Sequence, residues 1–423
     1  MTETSVAVED TLDWDVFAEK YWDRAPVLYR RVPRAPFLAE EALSAAITAS
    51  APGAADVIPD IVRLTCEGRR LLTARGRVPC ASDTDFDSYA ARVTTALDGE
   101  RHALVIAGFH PHNPDMWDRQ RAFFHPLWER VGLPMTSAIT TLFHGNYEHS
   151  PVGVHKDRFG TFMYVLSGRK RMRMWPHRPW SHDASTILDY ARYLDTSIAA
   201  EAGPGQLMYW PASHFHVGET VGSEPATSVN VGVPREGRRV EFEMTDLLTD
   251  LPASALTDPD AYLETRMPPI DVDPFVDPAD AATGLPLALR QGMDQAVSLL
   301  ERSWEGERRL AVTLNRYTAG GFRPVPDPVP RPELTDATRL RRAPGATVLW
   351  ARADDATALC SGNGHTASAR PSPKAITALL DRLDANATPA TVAELLDAVG
   401  EPEREHCREL LAELCAFRVA TVE

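Results

Sequence analysis

A chain of 423 residues, 44% hydrophobic and 24% charged, is long enough to bury a large core in two or three structural units. A formal charge of -15 argues against broad affinity for nucleic acid, and no apolar run reaches the length needed to span a bilayer. Cys66, Cys80, Cys360, Cys407 and Cys415 form no CxxC pair, and residues 1–10 lack a basic, apolar leader, so the expectation is a cytoplasmic protein with reduced thiols.

Residues 14–22 have the apolar spacing of a short helix, which Pro26 ends, leaving residues 27–29 extended. A second helix is expected over 36–49, with Pro36 near its start and Ala51-Pro52-Gly53 beyond its end. Residues 61–64 and 104–106 read as strands and 86–97 as a helix. Residues 117–131 read as a helix, with Pro111 and Pro114 shaping its approach and Trp117, Phe123, Phe124 and Trp128 as its packing face. His110, His112 and His125 read as solvent or packing residues.

From about 138 to 246 the text changes to short strands and turns. Residues 138–143 are strand-like. Residues 159–166 and 170–176 read as two strands joined by a tight turn at Ser167-Gly168, and 206–210 with 227–233 as another strand pair. Closing such strands into a barrel protects their edges and makes a ligand-sized interior. Residues 188–200 fit either a helix or an insertion at the site.

Beyond the barrel, 288–300 and 308–317 read as helices that could support it or meet a second subunit. The proline-rich run 320–330 reads as a connection. Residues 333–423 then read as a small α+β domain, with strands at 347–350 and 358–360, helices at 374–383, 392–399 and 403–417, and a returning edge strand at 418–422. That order is winged-helix-like. Asp381, Asp384, Glu394, Asp397, Glu401, Glu403 and Glu405 give it an acidic character that points to a structural or peptide-docking role rather than nucleic-acid reading.

The chemistry centres on His155-Lys156-Asp157. In an extended segment residues two apart share a face, so an imidazole and a carboxylate would stand together. They make two thirds of a 2-His-1-carboxylate set, which leaves coordination positions on iron open. The third member should come from a distant strand, and residues 205–216 offer both His214 and His216. In Gly168-Arg169-Lys170-Arg171, alternation sets Lys170 with Met172 and Met174 against Arg169, Arg171 and Arg173. An inward lysine beside methionines suits one anion in an apolar cavity, whereas a one-residue register change would hand that role to Arg171 or Arg173. Tyr147, Tyr164 and Trp210 could border the pocket or simply pack. His144, His149, His177 and His182 read as surface hydrogen-bonding residues.

Through these motifs the chain resembles the cupin-like JmjC family of Fe(II)/2-oxoglutarate-dependent oxygenases, nearest to its bacterial ribosomal-oxygenase and protein-hydroxylase branches. The likeness covers the approach Phe17-Ala18-Glu19-Lys20-Tyr21-Trp22-Asp23-Arg24-Ala25-Pro26-Val27-Leu28 and the stretch 138–246. It implies a mainly β catalytic core, a double-stranded β-helix of cupin or jelly-roll type with flanking helices and a C-terminal winged-helix-like α+β domain. The expected divisions are an N-terminal mixed α/β support region (1–137), the catalytic core (138–246), a helical support or dimerisation region (247–328) and the winged-helix-like domain (333–423).

The family's HxD motif maps onto His155 and Asp157. Its aromatic–variable–proline motif, followed after five positions by histidine, maps onto Tyr209-Trp210-Pro211 and selects His216 over His214. Ala212-Ser213 departs from the proline–glycine turn of many relatives. The basic residue after the strand turn maps onto Lys170 as the partner of the distal carboxylate of 2-oxoglutarate. Thr161 and Asn230 are candidates for further cosubstrate contacts, or simply satisfy neighbouring backbone groups. The resemblance implies an enzyme that holds Fe(II) through His155, Asp157 and His216 and uses O2 to hydroxylate an amino-acid side chain in a peptide or protein. The apolar helix runs make a homodimer a candidate assembly, while the acidic charge gives no strong case for a nucleic-acid partner and the absence of a spanning apolar run gives none for a membrane. The alternatives are a hydroxylase of a small metabolite or free amino acid, and a non-catalytic, metal-supported binding or regulatory protein.

Overall fold

A computed structural model of the chain describes residues 5–134, 136–235, 297, 307–353, 357–385 and 388–423. Contacts divide the chain into one unit of residues 1–236, 319–330 and 343–347 and a second of residues 237–318, 331–342 and 348–423.

The first unit opens with β1 (Ala7–Thr11), which the sequence reading did not anticipate, and α1 (Trp14–Lys20). Asp13 starts α1 by accepting the backbone N–H of Asp15 at 2.8 Å and of Val16 at 3.1 Å, a side-chain cap for two otherwise unpaired donors. After Pro26 the chain runs extended as β2 (Val27–Arg31). Helix α2 (Ala39–Ala49) begins later than expected, because Phe37 is drawn into the core and Leu38 stays extended. Then come β3 (Val62–Cys66), β4 (Arg69–Leu71), α3 (Phe86–Ala96) and β5 (His102–Ala107). Helix α4 (Pro114–Val131) takes Pro114 into its first turn, where the missing N–H costs nothing, so this proline does not lie on the approach as expected. Its Trp117, Phe123, Phe124 and Trp128 are buried, as their spacing predicts.

The strands that follow are β6 (Ile139–Gly145), β7 (His155–Lys156), β8 (Phe159–Ser167), β9 (Lys170–Trp175), β10 (Ile198–Ala202), β11 (Leu207–Trp210), β12 (Phe215–Thr220) and β13 (Ala226–Pro234). They distribute between two sheets. A nine-stranded sheet has the order β1-β2-β11-β8-β13-β6-β5-β3-β4, and a four-stranded sheet the order β10-β9-β12-β7. Met163, Val165, Met172, Met174, Met208 and Trp210 pack together between these sheets, and the helices α1, α2 and α4 contribute to a larger core with residues of the nine-stranded sheet. The first unit is therefore mainly β, with a large mixed sheet and a jelly-roll-like core.

This topology corrects two pairings suggested by the sequence. Strands β8 and β9 are joined by a tight turn but do not pair; they lie in opposite sheets. Gly168, at φ +68°, makes the crossing, and a Cβ there would stand 2.6 Å from that of Ala226. Strands β11 and β13 are not partners either, since each flanks β8. Residues 188–200, left open between helix and insertion, supply a short 3-10 turn at Ala191–Thr196 and the start of β10.

Part of the proline-rich connection packs firmly. Phe322 is wholly buried, the Trp117 indole N–H donates to its carbonyl at 3.2 Å, and the Trp128 indole donates to that of Gly320 at 3.2 Å.

The second unit contains α5 (Glu307–Thr318), β14 (Arg339–Arg342), β15 (Val348–Arg352), β16 (Ala358–Gly362), β17 (His365–Ala369), α6 (Pro373–Ala385), β18 (Ala390–Thr391), α7 (Val392–Leu396), α8 (Arg404–Ala416) and β19 (Ala420–Val422). Its sheets are β18-β14-β19 and β15-β16-β17. Ser361 ties α5 to the second of these, with its hydroxyl 2.8 Å from that of Thr318 and donating to Asn315 Oδ1 at 3.1 Å. The helix expected over 288–300 lies outside the described residues, apart from Val297. Among the described residues, no helix is long and apolar enough to cross a membrane.

Burial holds several histidines neutral. His110 is fully buried and pushed down to about 3, and burial takes His144 well below its ordinary value, the charges of His102 and Lys170 adding to the effect. An imidazole depressed in this way contributes stability above its unfolded pKa of about 6.5, and that contribution is lost as pH falls below it. We expect the thermal midpoint to fall between pH 7 and pH 5, His110 alone accounting for about 2 kcal/mol at pH 5. His110→Leu should flatten this acid limb in a pH series of thermal melts.

Candidate metal centre and its cavity

Strand β7 is two residues long, and its partner is β12, with His155 directly opposite His216. Register alone thus brings together two imidazoles far apart in sequence. Asp157 follows β7, and its Oδ2 lies 3.5 Å from His155 Nε2 and 3.6 Å from His216 Nε2. The two imidazole centres are 4.5 Å apart, and one donor atom from each of the three residues lies within 4.8 Å of the others. Two donors sharing one ion at roughly 2.1 Å cannot stand more than about 4.2 Å apart, and both histidine–aspartate pairs already meet that limit.

The other ring nitrogens decide which lone pairs are available. His155 Nδ1 is 2.9 Å from the Gly153 carbonyl and His216 Nδ1 is 3.3 Å from the His214 carbonyl. A carbonyl oxygen only accepts, so each Nδ1 carries the proton and each neutral ring keeps its Nε2 lone pair toward Asp157. This donor set fits a divalent ion. Burial opposes charge on His155, but the hydrogen bond and charge of Asp157 prevail and raise its pKa; burial, then the charge of His155, pushes His216 down to about 4. Burial also opposes ionisation of Asp157, yet the two imidazoles hold its carboxyl below the usual range. His214 is not in this cluster; its Nδ1 lies 3.1 Å from the Ser213 hydroxyl.

The cluster opens on a cavity of about 190 Å³ between the sheets, whose walls include Thr161, Asn230, Tyr147, Trp210 and Lys170. Lys170 lies four residues from Met174, the partner of His216 across β9 and β12, or roughly 13 Å along the strand. It is 2% exposed, and its Nζ donates to Tyr147 Oη at 2.7 Å and sits 4.2 Å from the centre of that ring. Burial pushes its pKa down to about 7. Among the described residues, no carboxylate lies within ion-pair distance of it. A buried ammonium with only a neutral partner is costly, and an anion in the cavity would relieve that cost.

Alternation along β9 turns the arginines the other way. Arg171 pairs with Glu201 and Glu219, and Arg173 with Glu219. The strand therefore presents Lys170 inward, and the register change that would offer Arg171 or Arg173 to the cavity is not adopted. Thr161 stands opposite Trp210, and Asn230, whose Oδ1 accepts from the Ser228 hydroxyl at 3.3 Å, lies between Thr141 and Met163. Tyr164 packs in the large core instead of bordering the cavity. His144, read as a surface residue, is buried with its Nδ1 2.9 Å from Thr227 Oγ1, because it occupies the face of β6 opposite the cavity-lining Thr141 and Phe143. His177 and His182 are exposed. The Lys170–Tyr147 contact had no signal in sequence, since it joins a strand to a distant loop.

No protein-family model matches the chain, and no curated protein does so either. Among solved structures it is similar to that of YcfD, a ribosomal oxygenase from Escherichia coli, at 19% identity and a TM-score of 0.47, covering 97% of this chain and 98% of that one. It is similar to the same Escherichia coli protein in complex with cobalt and succinic acid at 19% identity and a TM-score of 0.48, with 97% of this chain and 98% of that chain covered. For the complex of that protein with cobalt and 2-oxoglutarate the identity is 17% and the TM-score 0.44, with the same coverage of 97% and 98%.

Metal titration separates the histidines. His155→Ala, Asp157→Ala and His216→Ala should each weaken Co(II) or Mn(II) binding by about tenfold or more, while His214→Ala leaves it near wild type. Calorimetry on variants with unchanged melting behaviour checks this; loss in His214→Ala with retention in His216→Ala would reverse the third-ligand assignment.

Proposed function

We infer that the chain is an Fe(II)/2-oxoglutarate-dependent oxygenase that hydroxylates an amino-acid side chain in a peptide or protein. One observation carries this reading: a 2-His-1-carboxylate cluster shares a cavity with a buried lysine that has no anionic partner among the described residues. His155, Asp157 and His216 would hold the iron. When bound, the iron would supply the redox chemistry that lets O2 react with 2-oxoglutarate and an unactivated C–H bond.

The chain's own residues perform the selection. Protonated Lys170 would pair with the distal carboxylate of 2-oxoglutarate, orienting the other end toward the metal cluster. Thr161 and Asn230 would add hydrogen bonds along the molecule. Met163 and Met172 make the walls between them apolar, which limits water beside the reacting groups. The balance is one O2 and one 2-oxoglutarate consumed, carbon dioxide and succinate released, and one oxygen atom inserted into the substrate C–H as hydroxyl. A protein or peptide substrate follows from the resemblance to protein hydroxylases.

The same reading assigns the 138–246 region as a double-stranded β-helix on the 1–137 support region, 247–328 as a support or dimerisation region, and 333–423 as a winged-helix-like domain with a structural or docking role. It places the enzyme in the cytoplasm and makes a homodimer its candidate assembly. Concentration-independent monomer mass in light scattering would remove the dimer.

The test is succinate formation from 2-oxoglutarate by the Fe(II)-loaded protein in air, with a one-oxygen mass gain on peptides from a lysate digest. Absence of both removes the enzyme reading. Lys170→Ala should raise the 2-oxoglutarate dissociation constant roughly ten- to hundredfold, in line with about 1.5–3 kcal/mol for a contact to a charged group, with metal affinity retained. The sign with pH is defined as well. Lys170 is protonated below about 7 and loses its proton above it, so wild-type affinity should weaken as pH rises from 7 to 9, with proton uptake on binding. Calorimetry in buffers of different ionisation enthalpy reads that uptake directly.

A further inference from the structure

The face of the nine-stranded sheet that lines the cavity continues beyond it. Thr141 and Phe143 of β6 line the cavity, and directly opposite them on β5 stand Ala107 and Val105. Residues opposite each other in an antiparallel pair share a face. The same surface therefore carries on to Arg63 of β3, the partner of Val105, and through Thr65 to its partner Arg70 on β4. We propose that this surface is a docking shelf for an acidic segment of the substrate protein, which would lie across the strands with its target side chain in the cavity. The proposal rests on reading the cavity as the place where a peptide side chain is oxidised.

The opposite face of these strands is committed to the core. Val62, Leu64 and Cys66 alternate with Arg63 and Thr65 and are buried, as are Leu104 and Ile106 of β5. On the shelf, Arg63, Arg70 and Ala107 are exposed. Ile61, whose carbonyl accepts the N–H of Ala107 at 3.0 Å, is 42% exposed, and Leu72, next in alternation after Arg70, is 67% exposed. Neither arginine has an ion-pair partner among the described residues. The carboxylates of the same hairpin lie at its ends, Asp60 before β3 and Glu67 in the turn to β4.

Two unpaired guanidinium groups beside the cavity are a local exception in a chain of formal charge -15. Each can take a carboxylate in a two-pronged contact. Exposed Ile61 and Leu72 on the same face suit the side chains of a peptide, whereas the overall negative charge repels the phosphates of a nucleic acid. Neighbouring strands stand about 4.8 Å apart, so Arg63, two strands from Phe143, lies roughly 10 Å from it, and Arg70, three strands away, roughly 14 Å. An extended peptide gains about 3.3 Å per residue, which sets its acidic residues roughly three to five positions from the target.

The probe is a degenerate pool of synthetic peptides about 11 residues long, enough for an extended chain to reach Arg70 on either side of a central residue. The pool is captured on the full chain loaded with Mn(II) and 2-oxoglutarate and read by mass spectrometry, and succinate formation is measured separately on the Fe(II)-loaded protein. Wild type should enrich Asp and Glu over Lys and Arg by about tenfold, and the enrichment should shrink between about 0.05 and 0.5 M salt. Arg63→Glu with Arg70→Glu should reverse the preference. Arg69→Glu should keep it, because Arg69 pairs with Cys66 and stands on the opposite face. Arg63→Gln with Arg70→Gln, which should abolish the preference, serves if the double reversal disturbs the sheet edge. No acidic preference in wild type, or one that survives either double substitution in folded protein, overturns the shelf whatever the succinate result. Tighter binding of oligouridylate than of the acidic peptides, lost in the double variant, assigns the surface to nucleic acid and also overturns it. Acidic preference lost in the double variant of a protein that forms no succinate supports the shelf and removes the oxygenase reading.

Discussion

The pairing of His155 with His216 across β7 and β12 is the constraint on which the site depends. A strand of two residues has little stability of its own, so the position of His155 is borrowed from β12. That strand is secured in turn by its longer ladder with β9, which runs from Phe215 opposite Trp175 to Thr220 opposite Lys170. On the outer face Glu219, only 7% exposed, receives Arg171 at 3.1 Å, Arg173 at 2.5 Å and the Tyr190 hydroxyl at 2.8 Å. A carboxylate so enclosed is stabilising only when its partners satisfy it, and here three do. The outer network and the inner site are two faces of the same pair of strands.

The two faces of β9 treat positive charge in opposite ways. Arg171 and Arg173 reach glutamates on the outside, whereas Lys170 is buried inside against a neutral phenol. Folding alone gains nothing from that arrangement, since an apolar residue beside Met172 and Met174 would avoid the desolvation cost. Such local conflicts between stability and composition are where function is expected to reside. The histidine–aspartate cluster shows the same logic in milder form, with one donor atom from each of two imidazoles and a carboxylate lying within 4.8 Å of the others.

What could be read from sequence was what repeats locally. The spacing of His155 and Asp157, the alternation around Lys170 and the packing face of α4 all follow from strand and helix periods, and the structure places those side chains as the periods require. Selecting His216 over His214 needed the resemblance, because two histidines at one period share a face. Strand partnership was not legible. A tight turn after β8 reads as a hairpin, but the chain crosses to the other sheet there, and no local pattern distinguishes the two outcomes. Strands β1, β10 and β12 were among those not anticipated; they pair with β2, β9 and β7, which lie elsewhere in the sequence, so no local pattern announces them. His144 was misplaced for a related reason: its burial comes from the packing of Phe86 and Tyr89 from α3 against it.

The cavity itself depends on side chains that are missing. Gly218 occupies the inward position between His216 and Thr220, and Gly232 the inward position beyond Asn230; both line the cavity. A Cβ at Gly218 would stand 3.3 Å from Met172 Sδ, and one at Gly232 would stand 3.3 Å from Phe159 Cβ and Cγ. Each addition would therefore displace a lining residue as well as occupy space. Away from the cavity lining, Met174 and Met208 are fully buried in one cluster with Met163, Met172 and Trp210 and close the gap between the sheets. The site is a place where two opposed sheets are denied side chains, so that Lys170 and the cluster of His155, Asp157 and His216 line one open space instead of a solid core.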